Sequence, residues 1–279
     1  MDNIITTERI DAYCLSLLAD ERAAGTISKY RHDLTAFAHW LDGRIVSKET
    51  AAGWKNYLSH CGYTPRTINS MLAAVNGFCR FMAWHIKVKF LKIQRQIFRD
   101  SSRELTKEEY DRLLAAARES GQERLALIME TLCATGIRVS ELRYITVEAA
   151  LAGRATITLK GKIRTILLPA KLCRKLVKYA RKQKTASGEI FLTKSGRPIT
   201  RRQVWFELKR LCKAAGVEAS KVFPHNLRHL FATTFYRACR DIVRLADMLG
   251  HSSIDTNRIY LMVSGAEQQR QLDRLGLVS

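Results

Sequence analysis

Two pairs of residues carry the first chemical signal. Arg138 and Glu141 stand three apart, just after the apolar run ending Cys133-Ala134-Thr135-Gly136-Ile137. His225 and Arg228 are also three apart, a spacing that places both on one helical face. His251 follows Leu249-Gly250, and Tyr260 lies nine residues further on. Between the two pairs, Lys160-Gly161-Lys162 separates two runs of strand-like composition. Arginines, histidines, a lysine and a tyrosine form a kit for phosphoryl transfer. Guanidinium groups hold the non-bridging oxygens of a phosphate bidentately. A lysine or histidine passes a proton to a leaving group, and a tyrosine hydroxyl serves as nucleophile. No acidic pair suggests a two-metal site, so neither metal nor cofactor is expected.

Each of these groups needs an element to hold it. An apolar-periodic helix over 122–135 leads into Arg138. Residues 155–159 and 163–168 predict a β-hairpin with a tight basic turn at Lys160-Gly161-Lys162, closed by Pro169. Helices over 201–215, 225–239 and 241–249 carry His225 and Arg228 and lead to His251. A helix over 107–119 has Thr106 as cap and Glu109 at its third position, a capping box. A helix over 170–183, a short strand at 189–192 and a turn at Ser195-Gly196-Arg197-Pro198 complete this part. It reads as mainly α with a small antiparallel β-sheet. The preceding part reads as all-α: helices over 8–20, from a Thr26 cap to Asp42-Gly43, over 47–59, and over 65–84 with Pro65 in its first turn. Four amphipathic helices with short links make a bundle.

A chain of 279 residues is long enough for two domains. Its 47% hydrophobic and 26% charged residues exclude a disordered chain. The formal charge of +21 points to a polyanionic partner. That charge is concentrated: residues 154–221 carry 19 basic and 3 acidic side chains. Candidate phosphate contacts there are Arg164, Lys171, Arg174, Lys175, Arg201 and Arg202. Residues 86–103 add Lys87, Lys89, Lys92 and Arg95, with a solvated face as the alternative reading. The expected division is a helical domain at 1–88, a basic linker at 89–103 and a mainly α domain at 104–279. No apolar run is long enough for a membrane span. Acidic residues stand where an export signal needs basic ones, so a cytoplasmic protein with reduced thiols, associated with its polyanion, is expected. Cys133, Cys173, Cys212 and Cys239 fall in helical patterns and read as core thiols.

Three blocks in order resemble the tyrosine recombinases, the phage-integrase and Xer class. They are Thr135-Gly136-Ile137-Arg138-Val139-Ser140-Glu141-Leu142; His225-Asn226-Leu227-Arg228-His229-Leu230-Phe231-Ala232-Thr233; and Leu249-Gly250-His251 with Tyr260. The resemblance covers about 104–275 and extends more loosely over 8–84. It implies a helical, SAM-like core-binding domain and a tyrosine recombinase catalytic domain. Arg138 and Arg228 would clamp the scissile phosphate, and Tyr260 would attack it. His225 would handle protons and bind phosphate, His251 would support the transition state, and Glu141 would steady the arginine site. His229 is read as structural. The family's general-acid lysine sits in the hairpin turn. Lys160 matches it best and Lys162 competes, because the turn is one residue shorter than the common pattern. The implied activity is site-specific DNA recombination through a 3′-phosphotyrosyl intermediate and a Holliday junction, in integration, excision or dimer resolution. The implied partners are double-stranded core sites and a tetramer on two DNA sites. Residues 265–279, with Leu272, Leu275 and Leu277, read as a short amphipathic helix, and the resemblance implies that it docks on the neighbouring protomer, with packing on its own domain as the alternative. With no extra N-terminal region of the kind that binds arm sites, recognition of core sites alone is expected. A non-catalytic DNA-binding protein and a type IB topoisomerase-like relaxase remain the alternatives.

Overall fold

The computed structural model describes residues 3–94, 101–159, 162–193, 195–250, 269–270 and 273–275. Two compact units divide the chain, Met1–Arg95 and Gln96–Ser279. The first unit is all-α: α1 (Thr7–Ala19), α2 (Ala24–Leu41), α3 (Lys48–His60) and α4 (Pro65–Phe81). Apolar side chains at helical spacing build its core, with Leu34, Phe37, Leu72 and Phe78 fully buried. Ser47 and Thr50 form a capping box at α3, and Thr64 caps α4 ahead of Pro65. Thr26 does not cap α2. The helix begins two residues earlier, after Ala23, and has no side-chain cap.

Beyond α4 the chain turns back and runs extended. Asn76 exchanges two hydrogen bonds with the backbone of Val88, donating to its carbonyl at 3.0 Å and accepting from its N–H at 2.9 Å. Asn69, two turns earlier on α4, does the same with Leu91 at 2.9 and 2.8 Å. These amides replace the missing partner strand. Val88 is buried, while Lys87, Lys89 and Lys92 face solvent. The first part of the basic stretch is thus fastened to the helical unit.

The second unit begins with a 3-10 turn at Ser101–Arg103, then α5 (Lys107–Glu119) and α6 (Glu123–Thr135). Thr106 and Glu109 form the expected capping box at α5. A 3-10 segment at Val139–Tyr144 and a short α7 (Val147–Ala152), neither anticipated, lead to β1 (Arg154–Leu159) and β2 (Lys162–Leu167). The strands pair antiparallel in register Ile157↔Arg164. Alternation puts Ala155, Ile157 and Ile166 in the core and leaves Ile163 and Leu167 exposed. Then come α8 (Ala170–Lys182), α9 (Arg201–Ala214), α10 (Pro224–Cys239) and α11 (Ile242–Leu249). The strand expected at 189–192 is only two isolated bridges, Thr146 with Glu189 and Leu192 with Pro198; among the described residues no neighbouring strand extends them. Cys239 is exposed rather than core, since it lies in the last turn of α10; Cys212 is buried as expected. Among the described residues, no helix is long and apolar enough to cross a membrane.

α6 ends at Gly136, whose φ of +64° is left-handed. A Cβ there would lie 2.3 Å from Cδ1 of Phe231 on α10. Gly136→Ala therefore combines left-handed strain of about 1 kcal/mol with overpacking of about 2 kcal/mol. Denaturant unfolding is expected to show a loss near 3 kcal/mol, and a loss below 1 kcal/mol would contradict this packing.

Candidate active site

The site gathers at the ends of helices. After the Gly136 cap, the chain enters the 3-10 segment, and Arg138 is the residue before it. Glu141 caps that segment from within. Its Oε2 accepts the backbone N–H of Arg138 at 2.7 Å, and its Oε1 accepts from Arg138 Nη1 at 3.0 Å. Glu141 is 1% exposed, whereas the Arg138 side chain is 43% exposed. A buried carboxylate thus holds the base of an arginine that opens toward solvent.

α10 starts with Pro224 and presents His225 and Arg228 one turn apart. Arg228 is 2% exposed. It donates through Nη1 to the Gly136 carbonyl at 2.7 Å and through Nη2 to the Leu249 carbonyl at 2.8 Å. These are carbonyls at the C-terminal ends of α6 and α11, the negative ends of both helix dipoles. Arg138, Ser140, Arg201, Trp205, His225 and Arg228 line one cleft of about 310 Å³. His225 is exposed along one edge, but its pKa is lowered by desolvation in the cleft and then by Arg228, Arg138 and Arg201. Its ring is neutral at pH 7 and keeps one nitrogen as a proton acceptor. A cleft lined by guanidinium groups with a neutral imidazole suits a phosphodiester anion.

Arg138, Glu141, His225 and Arg228 therefore come together, although the chain separates the two blocks widely. Lys162 opens β2. Lys160, His251, Tyr260 and Arg95 lie outside the described residues, as does most of 265–279. The remaining cations divide into surface and interior groups. Lys171 and Arg174 are exposed on α8, while Lys175 pairs with Glu130 at 2.5 Å. Arg201 reaches the cleft, and exposed Arg202 places its guanidinium 5.5 Å from the Phe206 ring centre. Arg164, expected at a DNA surface, is turned inward. Its side chain is 15% exposed and bonded to Glu141 Oε2 at 2.7 Å. The reason is register: Arg164 shares the inward face of β2 with buried Ile166.

Trp205 was not identified from the sequence as a site residue. A signal was present: Val204, Leu208 and Leu211 supply the buried face of α9, which leaves Trp205 off that face beside two arginines. Tyr144 was also missed. Its hydroxyl donates to the Thr158 carbonyl and ties the 3-10 segment to β1.

Comparison with known proteins places this geometry in a family. Residues 103–267 match the phage integrase family, and residues 10–85 match the phage integrase N-terminal SAM-like domain. Tyrosine recombinase XerC of Roseiflexus sp. (strain RS-1) is 30% identical, over 93% of this chain and 90% of that protein. Tyrosine recombinase XerA of Pyrococcus furiosus is 27% identical, over 99% of this chain and 97% of that protein. The fold is similar to a lambda integrase tetramer bound to a Holliday junction, with a TM-score of 0.74 and 19% identity over 93% of this chain and 78% of that one. It is also similar to the XerH recombinase bound to its difH substrate before cleavage, with a TM-score of 0.70 and 18% identity over 95% of this chain and 84% of that one. With the family matched across most of the chain, and with Arg138, His225 and Arg228 assembled at one cleft, the chain belongs to the phage integrase family of tyrosine recombinases.

Proposed function

We propose that this protein is a site-specific DNA recombinase that cleaves and rejoins strands through a 3′-phosphotyrosyl intermediate. The observation that carries the reading is the convergence of Arg138, His225 and Arg228 on one cleft. A backbone phosphate fits there with its non-bridging oxygens facing the two guanidinium groups. Tyr260 Oη attacks the phosphorus while the bond to the 5′-oxygen breaks. The phenolic proton passes to an acceptor for which His225 is suited, and Lys160 protonates the departing 5′-oxygen. The ester keeps the energy of the broken bond. A 5′-hydroxyl from a second duplex then attacks it, restores the phosphodiester and releases Tyr260. Two such exchanges, on a tetramer holding two core sites, make and resolve a Holliday junction. Integration, excision and dimer resolution all use this cycle. The exposed cations Lys87, Lys89, Lys92, Lys171, Arg174 and Arg202 supply phosphate contacts that set the protein on its site.

The direct test uses a duplex selected from random-sequence DNA by the wild-type protein, nicked so that the cleaved fragment diffuses away. Wild type is expected to trap a covalent complex, with the nucleotide on the Tyr260 peptide by mass spectrometry. Tyr260→Phe is expected to bind the duplex within about twofold of wild type and to form no adduct. An adduct on another residue would overturn the nucleophile. No adduct at a well-bound site would favour a non-catalytic binding protein, and efficient relaxation of a supercoiled plasmid lacking the site would favour a relaxase.

The hairpin lysine is tested separately. Lys160→Ala is expected to slow cleavage by about 10²–10⁴-fold, the range of a general acid. A 5′-bridging phosphorothiolate, whose sulfur leaves without protonation, is expected to restore the rate. Rescue of Lys162→Ala instead would move the role to Lys162. Affinity is expected to fall by roughly 10³-fold or more between 50 and 200 mM salt, the response of about six phosphate contacts. A flat salt dependence would remove the basic segment from the interface.

A further inference from the structure

Arg164 occupies a position that no surface contact explains. It reaches from the inward face of β2 and uses its two terminal nitrogens on two different elements. Nη2 donates to Glu141 Oε2 at 2.7 Å, and Nη1 donates to the carbonyl of Met248 at 2.9 Å. The side chain also lies across Gly250. A Cβ on that glycine would meet Arg164 Nη1 at 2.4 Å and Cδ at 2.7 Å. Arg164 therefore joins the hairpin, the Arg138 segment and the C-terminal end of α11, immediately before His251.

We propose that Arg164 is a positioning residue for strand cleavage, which acts by sharing the Glu141 carboxylate so that the Arg138 guanidinium remains available to the scissile phosphate. The inference rests on the function proposed above. Glu141 is buried and accepts from both arginines, Arg138 through Oε1 and Arg164 through Oε2. A buried carboxylate left with one cationic partner draws that partner closer. Without Arg164, Arg138 becomes the sole guanidinium on Glu141, and its charge is spent inward rather than on an anion in the cleft. Desolvation is the largest influence on Arg164 and lowers its pKa, as befits an interior group rather than a DNA contact. Lysine is not an equivalent substitute. One ammonium reaches Glu141 or the Met248 carbonyl, whereas the planar fork reaches both.

The test compares Arg164→Met, which keeps the aliphatic stem, with wild type on the selected nicked duplex. Two versions of that duplex are used, one with the natural phosphate and one with a methylphosphonate at the scissile position. The methyl group replaces a non-bridging oxygen and removes the charge that Arg138 must meet. Arg164→Met is expected to bind both duplexes within about twofold of wild type and to cleave the phosphate about 30-fold more slowly. On the methylphosphonate, the deficit is expected to shrink to about threefold or less, following the pattern of Arg138→Ala. Unchanged phosphate cleavage, or an equal deficit on both duplexes, would overturn the positioning role. If Arg164→Met does not fold, Arg164→Gln, which is also uncharged and retains a polar tip, carries the same comparison with the same two outcomes. Failure of wild type to cleave either duplex would overturn the proposed function instead, so the two failures are distinct.

Discussion

A buried guanidinium holds the second unit in its arrangement. Arg228 sits 2% exposed between the terminal carbonyls of α6 and α11. Removing such a charge from water costs several kcal/mol. Each hydrogen bond to a charged group returns about 1.5–3 kcal/mol, and such bonds go mainly to offset that cost. Arg228 is therefore a weak source of stability and a strong constraint on geometry. Two helix ends can both reach it in only a narrow range of relative positions. Gly136 makes this approach possible, because its left-handed backbone turns the chain and its missing Cβ admits the Phe231 ring. The first block then departs from that turn, and the third block follows the other end.

A second ionic centre lies beside the first and works the other way. There the buried group is an anion, Glu141, and the cations surround it. Arg138 and Arg164 sit on separate carboxylate oxygens, and the Arg138 backbone N–H adds a third bond. The two centres share α11, since Arg228 bonds to Leu249 and Arg164 to Met248. Both bonds end on consecutive carbonyls of the last turn, where the helix leaves its acceptors unused. The end of α11 is consequently fixed from two directions, by a strand and by a helix that the chain places far apart.

The legibility of these features follows from their physical origin. Helices were readable wherever apolar spacing set them, as in α4 with Ile68, Leu72, Val75 and Cys79. Capping boxes at Thr106 and pairs such as His225 and Arg228 were readable because they are local. Thr26 misled, because a hydroxyl near a helix start has the same appearance inside the first turn as before it. Arg164 misled for a different reason. In Ile163-Arg164-Thr165-Ile166-Leu167-Leu168, both faces of the strand carry large apolar residues. Alternation alone leaves the face undecided, and only the packing of Ile166 and Leu168 against the core settles it. The amides of Asn69 and Asn76 were silent as well, since their partners are backbone groups with no sequence identity.

The same positive field serves two chemical ends in the proposed reaction. A phenol has a reference pKa of about 10 and attacks poorly while protonated. A cluster of guanidinium groups stabilises both a developing phenolate and the extra negative charge of the phosphorane-like transition state. Desolvation in the cleft, and after it that cluster, make protonation of His225 unfavourable, the direction in which its pKa is shifted. A field that lowers the affinity of the nucleophile for its proton also disfavours any basic recipient within it. The resolution lies in the phosphate. A bound phosphodiester brings one negative charge into the cleft, and the transition state adds another. The anion offsets the repulsion that, after desolvation, helps keep His225 neutral, so its basicity rises as substrate binds and rises further as bonds change. Empty, the cleft holds a neutral acceptor; occupied, it holds one whose protonation is favoured by the charge that appears during the reaction. On this reading the arginines need no movement to switch His225, because the substrate supplies the change in potential.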